Sequence, residues 1–174
     1  MKYAIGLGNP GKQYENTRHN VGFMAVEYIQ KQLDLPQFKT DVKRNMAVTS
    51  NNELTLLKPQ SYMNNSGEAV QNYLSYYNKE WHSELEHFFV IHDDLDIPVG
   101  SYKVQQGTGP KVHNGLLSLY QHLGTKDFWH IRVGVDGRNG QRGVSGNQYV
   151  LSPFLEQERL LLLPVFQEIL EQLH

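Results

Sequence analysis

Four consecutive apolar residues, Phe88-Phe89-Val90-Ile91, lie between a polar stretch (residues 78–87) and the acidic run Asp93-Asp94-Leu95-Asp96. A strand that is apolar at every position needs cover on both faces. It therefore belongs inside a sheet with helices above and below it. Helical and strand-like segments alternate around this run. Residues 3–7 (Tyr-Ala-Ile-Gly-Leu) read as a short buried strand. Met24, Ala25, Tyr28, Ile29 and Leu33 then fall at helical spacing from Val21, with Asn20 placed to cap that helix. Residues 38–58 predict two or three strands, turning at Asn51-Asn52. Residues 66–78 predict a helix, 101–106 a strand, 113–123 a helix and 129–135 a strand. A glycine-rich loop is expected over 136–147, then a helix over 153–173 that Pro164 kinks or splits in two. This order predicts a single α/β domain over residues 1–174. Its form is a three-layer α/β/α sandwich around a mixed, mostly parallel sheet.

A chain of 174 residues with 39% hydrophobic and 20% charged side chains buries enough surface to hold its own core. The absence of cysteine excludes disulfides, thiolate metal sites and thiol catalysis. No apolar run is long enough to cross a membrane. The first residues reach Gly8-Asn9-Pro10 too early for a signal peptide, so a cytoplasmic protein is expected. The net charge of −2 does not announce a nucleic-acid binder. Residues 1–44, with seven basic and four acidic groups, and residues 96–150, with six and three, are nevertheless positive. These regions either meet as one basic face or are a chance fluctuation of solvated charge.

Four constellations carry chemistry. Gly6-x-Gly8-x-x-Gly11 follows a strand and matches a dinucleotide fingerprint, but Pro10 interrupts it and no helix opens on the glycines. A tight turn displaying Asn9 into a cleft fits better. Thr17-Arg18-His19-Asn20 closes the same loop. His19 is either a surface histidine or a neutral imidazole able to take a proton from water. His92-Asp93-Asp94-Leu95-Asp96 crowds three carboxylates directly after the apolar strand. A metal ion, a histidine oriented by one of the acids, or simple exposure would each relieve that crowding. Finally, residues 107–115 (Gly-Thr-Gly-Pro-Lys-Val-His-Asn-Gly) form a turn-rich entry to a helix, read as a gate over a cleft or as a plain loop.

Taken together, these segments resemble bacterial-type peptidyl-tRNA hydrolase. The residues that carry the resemblance are Gly6-Leu7-Gly8-Asn9-Pro10-Gly11, Tyr14, Thr17-Arg18-His19-Asn20, Lys58-Pro59-x-x-Tyr62-Met63-Asn64-x-Ser66-Gly67, His92-Asp93-Asp94-Leu95-Asp96 and His113-Asn114-Gly115. The resemblance runs from about residue 2 to residue 154. It implies an esterase that cleaves the bond between a peptide and the 3′-terminal ribose of tRNA, acting as a monomer without cofactor or metal. It further implies His19 as general base, Asp93 as its orienting acid, and Asn64 as a group that positions the water or stabilises the oxyanion. Asn9 would read the first peptide unit. Tyr14, Tyr62, His113 and Asn114 would line the substrate side. From their place in the second positive region, Lys103, Arg132 and Arg142 are candidates to meet RNA phosphates, and Lys111 in the loop is another.

Two features depart from the family pattern. Where the family has a run of glycines and an extra histidine, residues 108–112 read Thr-Gly-Pro-Lys-Val, a stiffer loop that adds a cation at the cleft mouth. The total charge is mildly acidic where the family is often basic. Three rival readings follow from the residues. The first is an RNA-binding relative without chemistry, and the second a metal-dependent hydrolase built on Asp93, Asp94 and Asp96. The third is a dinucleotide enzyme.

Overall fold

The computed structural model describes residues 1–141 and 143–173. Seven strands form one sheet: β1 (Lys2–Gly6), β2 (Lys39–Asp41), β3 (Met46–Ser50), β4 (Leu54–Pro59), β5 (Phe88–Pro98), β6 (Tyr102–Gln106) and β7 (Trp129–Asp136). Their spatial order is β2-β3-β4-β1-β5-β7-β6. The central pairs β4–β1, β1–β5 and β5–β7 are parallel, while β2–β3, β3–β4 and β6–β7 are antiparallel.

Alternation along the strands divides the core in two. Ala4, Leu56, Ile91 and Ile131 face α1 (Val21–Gln32) and α5 (Glu156–Leu173), which contribute Ala25, Ile29, Val165 and Ile169. Ile5, Leu57 and Val90 face α2 (Ser66–Tyr77) and α3 (Asn114–Leu123), which contribute Val70, Leu74, Leu116 and Leu119. These are the three layers that the buried strand required. Helix and sheet approach closely where glycine allows it. A Cβ on Gly6 would strike the backbone carbonyl of Gly22 in α1, and one on Gly22 would strike that of Ile91 in β5. The first glycine of the dinucleotide-like motif therefore serves packing. Gly11, at φ 112, serves the turn that follows.

Several elements differ from their sequence reading. β5 does not stop at the acids but continues through them, because His92, Asp93 and Asp94 pair with Arg132, Val133 and Gly134 of β7. A short helix, α4 (Gly146–Val150), opens inside the expected loop, capped by the Ser145 hydroxyl, which accepts from the Gln148 N–H. α5 is not split in two at Pro164, whose position on the exposed side leaves the unbonded helix carbonyl near water. Some cations of the two positive regions lie far apart on the sheet. Lys39 on β2 and Lys43 and Arg44 beside it lie at one edge of the sheet, and Lys103 on β6 lies at the other. Among the described residues, no helix is long and apolar enough to cross a membrane.

Candidate active site

The loops after β1 and β4, the acidic part of β5 and the segments that follow β6 and β7 surround a cleft of about 620 Å³. Ligand crevices lie at the C-terminal ends of the strands in sheets of this class. Its floor is built from side chains that hold one another. His19 lies in a single 3-10 turn, Arg18–Asn20, just before α1. That turn is fastened to the far end of the chain. Arg18 donates to Ser152 Oγ at 2.7 Å, the Pro153 carbonyl at 2.6 Å and Glu158 at 2.6 Å, and its backbone N–H donates to the Ser152 carbonyl.

The fastening aims His19 at β5. His19 Nδ1 lies 2.9 Å from Asp93 Oδ1 and 3.0 Å from Oδ2. The same carboxylate receives a second imidazole, with His113 Nε2 2.8 Å from Oδ1. Burial opposes charge on His19, but the adjacent Asp93 carboxylate and its hydrogen bond outweigh that and raise the pKa above the ordinary histidine value. Burial alone would raise Asp93. The two imidazoles and their hydrogen bonds instead hold it well below the usual carboxylate range. With Nδ1–H donating to Asp93, the nitrogen that His19 leaves for the cleft is Nε2, a lone-pair acceptor in the neutral ring.

Asn9 is fixed just as firmly. Its backbone N–H and carbonyl are both bonded to the Asn20 side-chain amide at 2.9 Å, and its own Oδ1 accepts from the Met63 N–H at 2.8 Å. An Oδ1 bound to an N–H donor leaves Nδ2 as the Asn9 group directed elsewhere, and Asn9 lines the cleft. Asn20, read from sequence as a helix cap, makes no cap bond with its side chain and clamps Asn9 instead.

The rim is different in character. Tyr62, 58% exposed, meets Tyr14 edge-on with ring centroids 6.4 Å apart. Asn64, Asn114 and Lys111 line the cleft from exposed positions and make no side-chain hydrogen bond among the described residues. Pro110 and Val112 contribute the gate-loop wall, and α4 with Leu151 contributes the opposite one.

The chain as a whole is similar to known proteins. The sequence fits the peptidyl-tRNA hydrolase family over residues 3–174. The chain belongs to the peptidyl-tRNA hydrolase family. It is 43% identical over 161 residues to the peptidyl-tRNA hydrolase of Halalkalibacterium halodurans, an alignment covering 91% of this chain and 84% of that protein. It is 44% identical to that of Bacillus velezensis, covering 91% and 82%. The crystal structure of peptidyl-tRNA hydrolase from Acinetobacter baumannii superposes with a TM-score of 0.83 at 30% identity, covering 99% of this chain and 86% of that one.

Set against the peptidyl-tRNA hydrolase motifs, the geometry gathers Asn9, Tyr14, His19, Tyr62, Asn64, Asp93, Lys111, His113 and Asn114 around one cleft. Lys103 and Arg132 lie apart from it, as cross-strand partners on β6 and β7. Arg132 bonds Asp94 at 2.8 Å and also donates to Gln105, so its guanidinium is partly committed within the protein. Arg142 lies outside the described residues.

The crowded acids are relieved separately: Asp93 by two imidazoles, Asp94 by Arg132, and Asp96 by exposure. They do not converge as a metal site. The group with metal-ligand spacing is instead His19, Asp93 and His113, whose candidate atoms lie within 4.8 Å of one another. His113 Nδ1 accepts from the Leu116 N–H at 3.2 Å, so the neutral ring carries its proton on Nε2, facing Asp93. An ion there would have to displace that proton and break the start of α3. His113, expected to touch substrate, has both ring nitrogens engaged within the protein.

Sequence reasoning missed the Asn20 clamp, the Arg18 anchor and α4. Arg18 carries a signal, a cation directly before the histidine, but a buried arginine cannot be told from a solvated one without its distant acceptors.

Proposed function

We propose that the protein hydrolyses the ester joining a peptide to the 3′-terminal ribose of tRNA, with His19 as the general base. The observation that carries this reading is the buried His19–Asp93 pair at the cleft floor, with Nε2 left toward the cleft. Water bound at Nε2 gives up its proton as its oxygen attacks the ester carbonyl. Asp93 keeps the reactive tautomer and stabilises the imidazolium, which then returns the proton to the departing ribose oxygen. The atoms balance: one water is consumed, its second proton passes to solvent as the peptide acid ionises, and a peptide carboxylate and a free 3′ hydroxyl are released. General bases of this kind contribute roughly 10²–10⁴ in rate.

Asn64 and Asn114, with free amides at the rim, supply N–H donors for the developing oxyanion and the substrate carbonyls. Asn9 Nδ2 donates to the carbonyl of the first peptide unit. That carbonyl is absent from a free aminoacyl ester, so the donor would be left unpaired and the unblocked substrate disfavoured. Tyr14 and Tyr62 offer flat surfaces to unpaired 3′ nucleotides. Lys103, Lys111 and Arg132, whose Nη2 has no partner among the described residues, meet phosphates, making binding weaken with salt. An RNA-binding relative without chemistry has no use for a base whose pKa is tuned by a buried acid.

The test is peptide release from an N-blocked aminoacyl-tRNA by the native chain and by His19→Ala, with chelator present throughout. Rapid native release and near-complete loss in the variant are expected. Native activity that chelator abolishes would overturn the metal-free reading, and equal activity in the variant would remove His19 from the mechanism.

A further inference from the structure

His113 sits at a junction. It directly follows the gate loop and is the N-cap of α3, with φ −154 and ψ 111. The helix behind it is rigidly seated. The Gly67 N–H of α2 donates to Ser118 Oγ at 3.0 Å, and a Cβ on Gly67 would collide with the Ser118 backbone. Gly115 packs between Met63 and the His113 ring with no room for a side chain. His92 meets the His113 ring edge-on, centroids 5.4 Å apart. Neighbours on three sides therefore fix the imidazole, and each of its nitrogens has one task. Nδ1 accepts from Leu116 N–H and starts the helix, while Nε2–H donates to Asp93.

The second task bears on His19. Asp93 Oδ1 serves both imidazoles at once, 2.9 Å from His19 and 2.8 Å from His113. A carboxylate oxygen that already accepts one strong hydrogen bond has less electron density for a second donor. We propose that His113 is a positioning residue: its Nε2–H locks the Asp93 carboxylate toward His19 and, by sharing Oδ1, sets how strongly Asp93 favours the His19 imidazolium. The anchor comes from the packed α3 rather than the exposed gate loop, so loop movement leaves the base poised. The proposal rests on His19 being the base. The titratable groups around His19 are Asp93 and Asp96 from β5, His113 from α3, Lys111 from the loop, and Tyr14 and Tyr62 from the rim. Arg18, on the histidine's own turn, is directed away to Glu158. Of these groups, Asp93 is the one bonded to His19, and His113 is the other group bonded to that carboxylate.

The two tasks can be separated because two amides each mimic one nitrogen. His113→Asn places an oxygen near Nδ1, keeps a cap for Leu116 and removes the donor to Asp93. His113→Gln places an N–H near Nε2, keeps the donor and removes the cap. His19 is followed directly by NMR titration of its ring proton on the resting protein, which reads its pKa whether or not the enzyme turns over. The pH dependence of kcat/KM is measured beside it.

With one donor gone, Asp93 gives His19 its undivided charge. The titration and the acid limb of His113→Asn then move up by about 0.5–1 pH unit, with thermal stability retained. His113→Gln keeps the native titration and loses about 2–4 °C in Tm. If His113→Asn is folded and titrates as native, or if His113→Gln shifts equally, the residue is only a helix cap and the proposal fails. If the NMR shift appears while His19→Ala retains activity, the coupling stands and the general-base reading falls instead.

Discussion

The floor and the rim of the cleft are made from the same kinds of residue, yet they are built in opposite ways. On the floor, Asn9, His19 and Asp93 are buried, and each is held by partners from other elements. On the rim, Asn64, Asn114 and Lys111 are exposed and unengaged among the described residues. A buried polar group without a partner costs far more than the small net gain of an exposed hydrogen bond. The floor is thus fixed before substrate arrives, and the rim can adapt to it. The buried Asn9 and Asn20 are held by partners within the fold, whereas the side-chain amides of Asn64 and Asn114 have none among the described residues.

The comparison can be broken, beginning with the largest expected effect. His19→Ala should lower peptide release by about 10³-fold or more while tRNA is still bound, as single-turnover and binding assays would show. A loss confined to binding would make the floor a docking surface rather than a reactive one. Asp93→Asn should lower kcat by roughly 10²–10³-fold. It should also displace the acid limb. Protonation of His19 blocks the base and Asp93 raises the pKa of that event, so removing the charge moves the limb to lower pH. His113→Asn moves it the other way, and the opposed signs separate charge from packing.

Asn20→Ala leaves two backbone groups of Asn9 unpaired and should destabilise the fold by roughly 2–4 kcal/mol in thermal or urea unfolding. Lys103→Ala or Lys111→Ala should leave stability within about 0.5 kcal/mol and reduce the logarithmic salt slope of tRNA binding by about 0.7–0.9 each. Lys111→Ala destabilising the fold as much as Asn20→Ala would erase the distinction between rim and floor.

Much of the floor was legible in the sequence because its chemistry lies in short motifs beside strand and helix ends. Gly8-Asn9-Pro10, Thr17-Arg18-His19 and His92-Asp93 each carry a residue of the buried cleft floor next to an element that periodicity reveals. The partners of those groups were hidden by distance along the chain. Asn20 reads as a cap because caps are local, yet its amide reaches back to Asn9. Asp93 to Asp96 read as a strand end because charges usually close strands. Here β7 continues the pairing, and two histidines and an arginine absorb the charge.

The sequence by itself pointed to the layered α/β class, to the positions of most strands and helices, and to the short motifs that line the cleft. Those properties follow from hydrophobic spacing and from residue types within a few positions of one another. The tertiary structure alone decided which nitrogen of His19 is free and which carboxylate oxygen two histidines share. It also put Lys39 and Lys103 at opposite edges of the sheet. Each of these is set by which distant groups meet when the core closes, and hydrogen-bond direction and local charge depend on partners that no short stretch of chain contains.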